Sequence, residues 1–267
     1  MNADKIHLIY FSPTGTTQSV LRLMAGYMDV EAVEHDYTPF HSSGDELAFG
    51  ADDFVVFGFP VYRGRVPELF RERLCFVKGI HTPAAIVATY GNREYGDALL
   101  EMRDIAITRG FVPIIAAAVV TEHNVIRSVA AGRPDEKDKD FLKRYCVEIA
   151  KCRTAFPAMA ASEAPLAVPG EYPYCSIKPP WKSGWISTTS ACTACGLCAA
   201  ECPVEAIPSN NPRETQKNCI SCMRCTRICP CSARQLKKIL TVAGNIIMTK
   251  SKRVRKEPEL FTSDGKT

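Results

Sequence analysis

The sequence predicts an open α/β sheet of five parallel strands followed by a small cysteine-rich α+β module. Three observations carry this reading. Short apolar runs alternate with helix-periodic segments through the first 156 of the 267 residues. A stretch rich in proline and aromatic residues then interrupts regular structure. Two cysteine runs of identical spacing follow, offset by 27 residues.

Residues 6–11 form the first apolar run, read as a buried parallel strand. A hydroxyl-rich turn, Ser12-Pro-Thr-Gly-Thr-Thr17, leads into a helix over residues 19–28 with Val20, Leu21, Met24 and Met28 on one face. Further strands are predicted over 30–35, 54–59, 83–90 and 112–121, and helices over 67–76, 95–110 and 135–156. Residues 37–52 read as loop. Strands alternating with helices give a parallel sheet with helices on its faces.

The composition is that of an ordinary globular protein, with 46% hydrophobic and 23% charged residues. No apolar run reaches membrane-spanning length, and the polar start, Met1 to Lys5, has no secretory pattern. The net charge of +4 is unevenly placed: residues 1–156 hold 18 Lys/Arg against 21 Asp/Glu, and residues 187–267 hold 13 against 6. The thirteen cysteines point to a reducing cytoplasm.

The cysteine runs are the sharpest signal. Cys192, Cys195, Cys198 and Cys202 are spaced C-x2-C-x2-C-x3-C before Pro203. Cys219, Cys222, Cys225 and Cys229 repeat the spacing before Pro230. Two runs of this form describe two [4Fe–4S] cubanes, each taking three thiolates from one run and its fourth from the other. Cys192, Cys195, Cys198 and Cys229 are assigned to cluster 1, and Cys219, Cys222, Cys225 and Cys202 to cluster 2. Structural zinc would use paired knuckles instead of three short steps ending in Cys-Pro. Negative thiolates and clusters account for part of the basic excess nearby, which disfavours a nucleic-acid role. Oxygen attacks exposed cubanes, so an anaerobic setting fits. The stretch over residues 186–236 resembles the bacterial dicluster ferredoxins.

After the first strand no dinucleotide fingerprint is found. Ser12, Thr14, Thr16 and Thr17 around Gly15, at a helix start and without a lysine, suit a terminal monophosphate. The loops after the third and fourth strands, 58–67 and 89–97, carry glycines and aromatics able to flank a flat heterocycle. On these three loops residues 5–156 resemble a flavodoxin-like domain, with sheet order 2-1-3-4-5. That resemblance implies FMN, with Ser12, Thr14, Gly15, Thr16 and Thr17 at its phosphate. Pro60, Val61, Tyr62, Arg63 and Gly64 would lie on one side of the ring. Thr89, Tyr90, Gly91, Asn92 and Tyr95 would lie on the other. The whole chain resembles flavodoxin–ferredoxin fusion proteins.

Flavodoxins usually ring the flavin with acidic residues, whereas Arg63, Arg65 and Arg93 lie in the predicted ring loops here. They are expected to stabilise anionic reduced flavin or to receive an anionic partner. His123 is expected past a strand end as a hydrogen-bonded structural group. Residues 157–185, with six prolines and with Tyr172, Tyr174, Trp181 and Trp185, are read as a docking linker free of regular helix. Cys75, Cys146, Cys152 and Cys175 are read as buried thiols, and Cys231 has no assigned role. The cluster module spans 186–238. Residues 239–267 are read as a helix lying on the body and a solvated basic tail.

The expected function is electron transfer between FMN, two [4Fe–4S] clusters and protein redox partners. Two alternatives stand beside it: a flavin-dependent reductase of a small molecule fed by the clusters, and a redox- or iron-sensing module. A homodimer is left open.

Overall fold

The computed structural model describes residues 5–40, 46–159, 165–176, 184–262 and 265–266. The prolines at 179 and 180 and the tryptophan at 181, read above as part of the linker, lie outside the described residues.

Five parallel strands form the main sheet: β1 (Lys5–Tyr10), β2 (Glu31–Asp36), β4 (Val55–Pro60), β6 (Thr82–Tyr90) and β7 (Phe111–Val120). They lie in the order β2-β1-β4-β6-β7, which is 2-1-3-4-5 when the five are counted alone. All nine residues of β6 are buried, as expected of a central strand covered on both faces. On one face, α1 (Thr16–Met28) and α4 (Glu136–Met159) bury Val20, Leu21, Leu142, Tyr145 and Ile149 against Leu8, Val56 and Val87. On the other, α2 (Glu68–Arg73) and α3 (Ala98–Thr108) bury Phe70, Leu99 and Met102 against Phe57, Ile86 and Phe111.

Several elements depart from the sequence reading. β3 (Leu47–Phe49) lies in the stretch read as loop, and it pairs in parallel with β5 (Val77–Gly79) as a small second sheet. A chain of three residues carries too little periodicity to show itself. α4 continues past Phe156 through Pro157 to Met159. Proline is costly in a helix interior, but here it falls in the last turn, where little helix remains to be disrupted.

The C-terminal segment is the larger correction. The basic stretch 250–256 is largely exposed, as read, but the chain after it returns to the sheet. β10 (Glu259–Thr262) pairs antiparallel with β7, and β11 (Gly265–Lys266) pairs with β10. Alternation along β10 sends Phe261 into one core and Leu260 into the other. The apolar signal is only two residues long, and its meaning depends on the free edge of β7.

The cysteine module is closed by an antiparallel pair, β8 (Ile186–Thr188) with β9 (Arg234–Leu236), and holds two short helices, α5 (Leu197–Ala200) and α6 (Arg224–Ile228). α7 (Lys238–Ile247) and α8 (Thr249–Arg253) follow. α7 lies on the body by one side only: Gly244 packs on Ile126 and Asn245 accepts from Ser128, no residue of the helix is buried, and Met248, just beyond it, is its anchor.

Candidate functional site

The loops at the C-terminal ends of β1, β4 and β6 converge at the switch point of the sheet, where open α/β sheets place their ligands. Gly15, at φ 80°, turns the chain into α1. Its N–H donates to the Ser12 carbonyl (3.1 Å), which makes the loop a tight turn. Gly15 at the N-cap offers no side chain to the helix, and no acidic residue lies in its first turn. Such a helix start, with the Thr14 and Thr16 hydroxyls 3.3 Å apart beside it, suits an anion. Ser12 is engaged on two sides: its N–H donates to Thr38 Oγ1 (2.7 Å), and its hydroxyl accepts from Gln18 N–H (3.0 Å). Thr17 is fully buried and its hydroxyl bonds that of Thr89 (2.7 Å), so it braces β6 against α1.

The two predicted ring loops meet directly. Val61 N–H donates to the Thr89 carbonyl (2.8 Å). Beyond them Gly64 and Gly96 approach so closely that a Cβ on Gly96 would lie 2.8 Å from the Gly64 Cα. Tyr62 packs edge-on to Phe11, and Tyr90 edge-on to Tyr95. The buried Tyr90 hydroxyl has no hydrogen-bond partner among the described residues, a position suited to a polar ligand group. Two other residues of this loop are engaged elsewhere. The Asn92 amide donates to the carbonyls of Ser251 and Val254 and accepts from Lys256 N–H. The Tyr95 hydroxyl donates to Glu259 (3.1 Å). These two assignments move from a ring edge to the C-terminal segment, because that segment returns along β7 beside them.

The arginines divide. Arg65 is 8% exposed and forms a two-point ion pair with Glu101, so it is not a field source at the ring face. Arg63 is exposed, at φ 57°. Arg93 is exposed beside Glu94 (3.5 Å). His123 acts as the structural group expected: its Nδ1 accepts from Val125 and Ile126 N–H (3.2 and 3.1 Å). Burial, reinforced by Arg93, holds it below the ordinary histidine range and therefore neutral at pH 7. Gly91 makes room for it, since a Cβ there would lie 2.6 Å from the imidazole.

The cysteine runs fold as a repeated unit. Left-handed residues recur at the same offset in both: Ala194 and Ser221, Gly196 and Met223, Glu205 and Ser232. Each unit donates N–H groups to its first and last sulfurs: Ala194 to Cys192 (3.4 Å), Ser221 to Cys219 (3.4 Å), Ala206 to Cys202 and Ala233 to Cys229 (both 3.2 Å). Such bonds stabilise thiolate sulfur.

One cavity is lined by Cys192, Cys195, Cys198 and Cys229, together with Cys231 and Arg234. Cys202, Cys219, Cys222 and Cys225 form a second set, close enough to feel one another's charge. The eight cysteines thus lie in two neighbourhoods, each with the first three residues of one run and the last of the other. Among the described residues no three such side chains converge as one metal ion would require. A cubane, whose thiolates sit on separate irons, needs no such convergence. Burial pushes the free Cys222 thiol up to about 12, a barrier that metal binding overcomes by displacing the proton.

The second set faces the sheet loops. Ile220 packs on the same core as Val61 and Tyr62. Burial raises the Tyr62 phenol well above its ordinary range, and the nearby Cys222 adds to this. Arg224 reaches the Pro13 carbonyl (3.4 Å) and pairs with Glu201. Arg73, 4% exposed, donates to the Pro203 carbonyl next to Cys202 (2.8 Å) and to the carbonyls of Tyr37, Thr38 and Pro39. No sequence signal marked Arg73 or Arg224, because their partners, backbone carbonyls and for Arg224 also Glu201, lie far along the chain.

The described part of the linker, 165–176, docks on α3. Asp97 accepts from Glu171 and Cys175 N–H (2.9 and 2.7 Å), and the Tyr174 hydroxyl donates to Asp104 (2.6 Å). Cys146 and Cys152 are buried as expected, but Cys75 and Cys175 are exposed.

Residues 185–230 match the family model of the 4Fe-4S dicluster domain. The sheet module is flavodoxin-like in its strand order, and the matched cysteine-rich domain follows it in the chain. Among solved structures the chain is similar to the Streptococcus pneumoniae TIGR4 flavodoxin, at 15% identity over 55% of this chain and 98% of that one, TM-score 0.39. Flavodoxin 2 from Bacillus cereus is similar at 16% identity, over 55% of this chain and 98% of that one, TM-score 0.40. The Fusobacterium nucleatum flavodoxin bound to flavin mononucleotide is similar at 11% identity, over 55% and 97%, TM-score 0.37. None of the curated protein sequences matches. No described helix is long and apolar enough to cross a membrane.

Proposed function

We propose that this chain is an electron-transfer protein in which FMN and two [4Fe–4S] clusters act in series toward redox protein partners. When bound, FMN exchanges electrons singly or in pairs, while a cubane passes one at a time. Ser12, Thr14, Gly15 and Thr16 are assigned to the FMN phosphate. Pro60, Val61, Tyr62, Arg63 and Gly64 are assigned to the ring, with Thr89, Tyr90 and Gly91 opposite. Cys219, Cys222, Cys225 and Cys202 are assigned to an inner cluster, and Cys192, Cys195, Cys198 and Cys229 to an outer one.

The observation that carries this reading is the unequal placement of the two cysteine sets. Residues within the inner run reach the loops after β1 and β4: Arg224 bonds the Pro13 carbonyl, and Ile220 packs on the core that also holds Val61 and Tyr62. The outer set includes the exposed Cys195. This placement supports a route from sheet loops to inner set to outer set to partner.

Anaerobic purification tests the content: one FMN and about eight irons per chain are expected, and zinc in place of iron, or no flavin, sinks the reading. The route is tested with Cys195→Ser. Photoreduced flavin should still reduce the remaining cluster, seen by electron paramagnetic resonance, while reduction of added cytochrome c slows. Cys222→Ser should block the first of these steps. The opposite pattern overturns the order.

A further inference from the structure

α7 presents its aliphatic face outward. Ile239, Val242, Ile246 and Ile247 are 75%, 60%, 68% and 69% exposed. Residues 239, 242 and 246 follow helical spacing, with 247 adjoining, so the four form one stripe. The opposite side holds the helix to the body. Gly244 packs on Ile126, the Asn245 amide oxygen accepts from Ser128 (2.7 Å), and Met248 is buried with Ile126 and Val129. A contiguous aliphatic stripe left in water marks an interaction surface.

The surrounding charge selects the partner. From Lys237 to Lys256 the chain has seven Lys/Arg and no Asp/Glu. Lys237, Lys238, Lys250, Lys252 and Arg253 are all exposed. Arg255, by contrast, is tied to Asp135 and Glu257. A second copy of this face would bring like charges together at the edges of any apolar contact. An anionic bilayer offers the complement of both features, a negative headgroup layer above an apolar interior.

We propose that α7 and the basic segment after it form a docking surface for an anionic phospholipid membrane, with the helix lying in the plane of the headgroups. The aliphatic stripe enters the boundary of the acyl region, and Lys238, Lys250, Lys252 and Arg253 meet lipid phosphates. α7 follows β9 directly, so docking holds the cysteine module near the membrane surface without any spanning segment.

The test is co-sedimentation of the full, cluster-loaded chain with vesicles. Vesicles of phosphatidylcholine with phosphatidylglycerol should bind it, and vesicles of phosphatidylcholine alone should not. Binding should weaken as salt rises. Val242→Asn with Ile246→Asn should reduce partitioning about tenfold or more, as should Lys250→Gln with Lys252→Gln and Arg253→Gln. Iron and flavin content checks that each variant is folded. The wild-type measurement does not depend on any variant: no binding to anionic vesicles at low salt overturns the proposal. It is overturned equally if the Asn variant binds like wild type, or if the stripe variants instead abolish a dimer seen by sedimentation velocity.

Discussion

Arg65 and Glu101 form a two-point ion pair inside the sheet domain, Nε to Oε2 at 2.8 Å and Nη2 to Oε1 at 2.7 Å. The same carboxylate accepts from Val66 N–H, and the third arm of the guanidinium donates to the Cys175 carbonyl at 2.6 Å. With side-chain exposures of 9% and 2%, neither charge has water to fall back on. The pair ties the loop after β4, helix α3 and the linker into one unit. Glu101→Gln leaves a buried guanidinium unpaired and should cost about 3–5 kcal/mol. For a domain of this size that lowers the melting temperature by roughly 6–20 °C. A variant that melts within a degree or two of wild type contradicts this account.

Arg73 is a buried cation whose hydrogen bonds go to four carbonyls, one of them across the module boundary at Pro203. Burial lowers its pKa, yet guanidinium remains charged at any working pH. Lysine cannot reproduce the planar fork. Arg73→Lys should therefore cost about 2–3 kcal/mol and speed hydrogen exchange around residues 203–206 more than around 192–198. Equal change in both segments would mean that the bond to Pro203 does not hold the module down.

The crossed grouping of cysteines makes a separable prediction. Cys229→Ala, although it lies in the second run, should remove the cluster held by Cys192, Cys195 and Cys198. Cys202→Ala should remove the other. Each should lower iron from about eight to about four per chain, and the two residual resonance spectra should differ. If each variant instead loses the cluster of its own run, the crossing is wrong.

Glu34 accepts from Arg22, Tyr10 and Gln18. The Arg22 hydrogen bond, partly opposed by burial, lowers its pKa from 4.5 to about 2. A folded-state value below the unfolded one stabilises the fold fully above about pH 4.5, and this is lost as pH falls through about 2. The stability gap between wild type and Glu34→Gln should thus narrow as pH is lowered from 6 to 3 in urea titrations. Arg22 is 59% exposed, so salt should shrink the gap as well. A gap independent of pH removes Glu34 ionisation from the explanation.

Much of this molecule is legible in the sequence because the relevant physics is local. A strand buried on both faces must be a short apolar run, so β1, β4, β6 and β7 stand out. A cubane needs thiolates at fixed short steps, so Cys192 to Cys202 and Cys219 to Cys229 declare their chemistry. The turn at Gly15 is likewise written in consecutive residues. Tertiary structure decided what depends on distant partners. Arg65 reads like a flavin-facing cation until Glu101, on another element, neutralises it. Asn92 and Tyr95 read as ring contacts until a segment some 160 residues later takes up their polar groups. Leu260 and Phe261 are only two apolar residues, and they become a strand because β7 offers an unpaired edge. Which cysteine set faces the sheet loops follows from Ile220 and Arg224 meeting the sheet domain, a choice the symmetric spacing of the two runs cannot express.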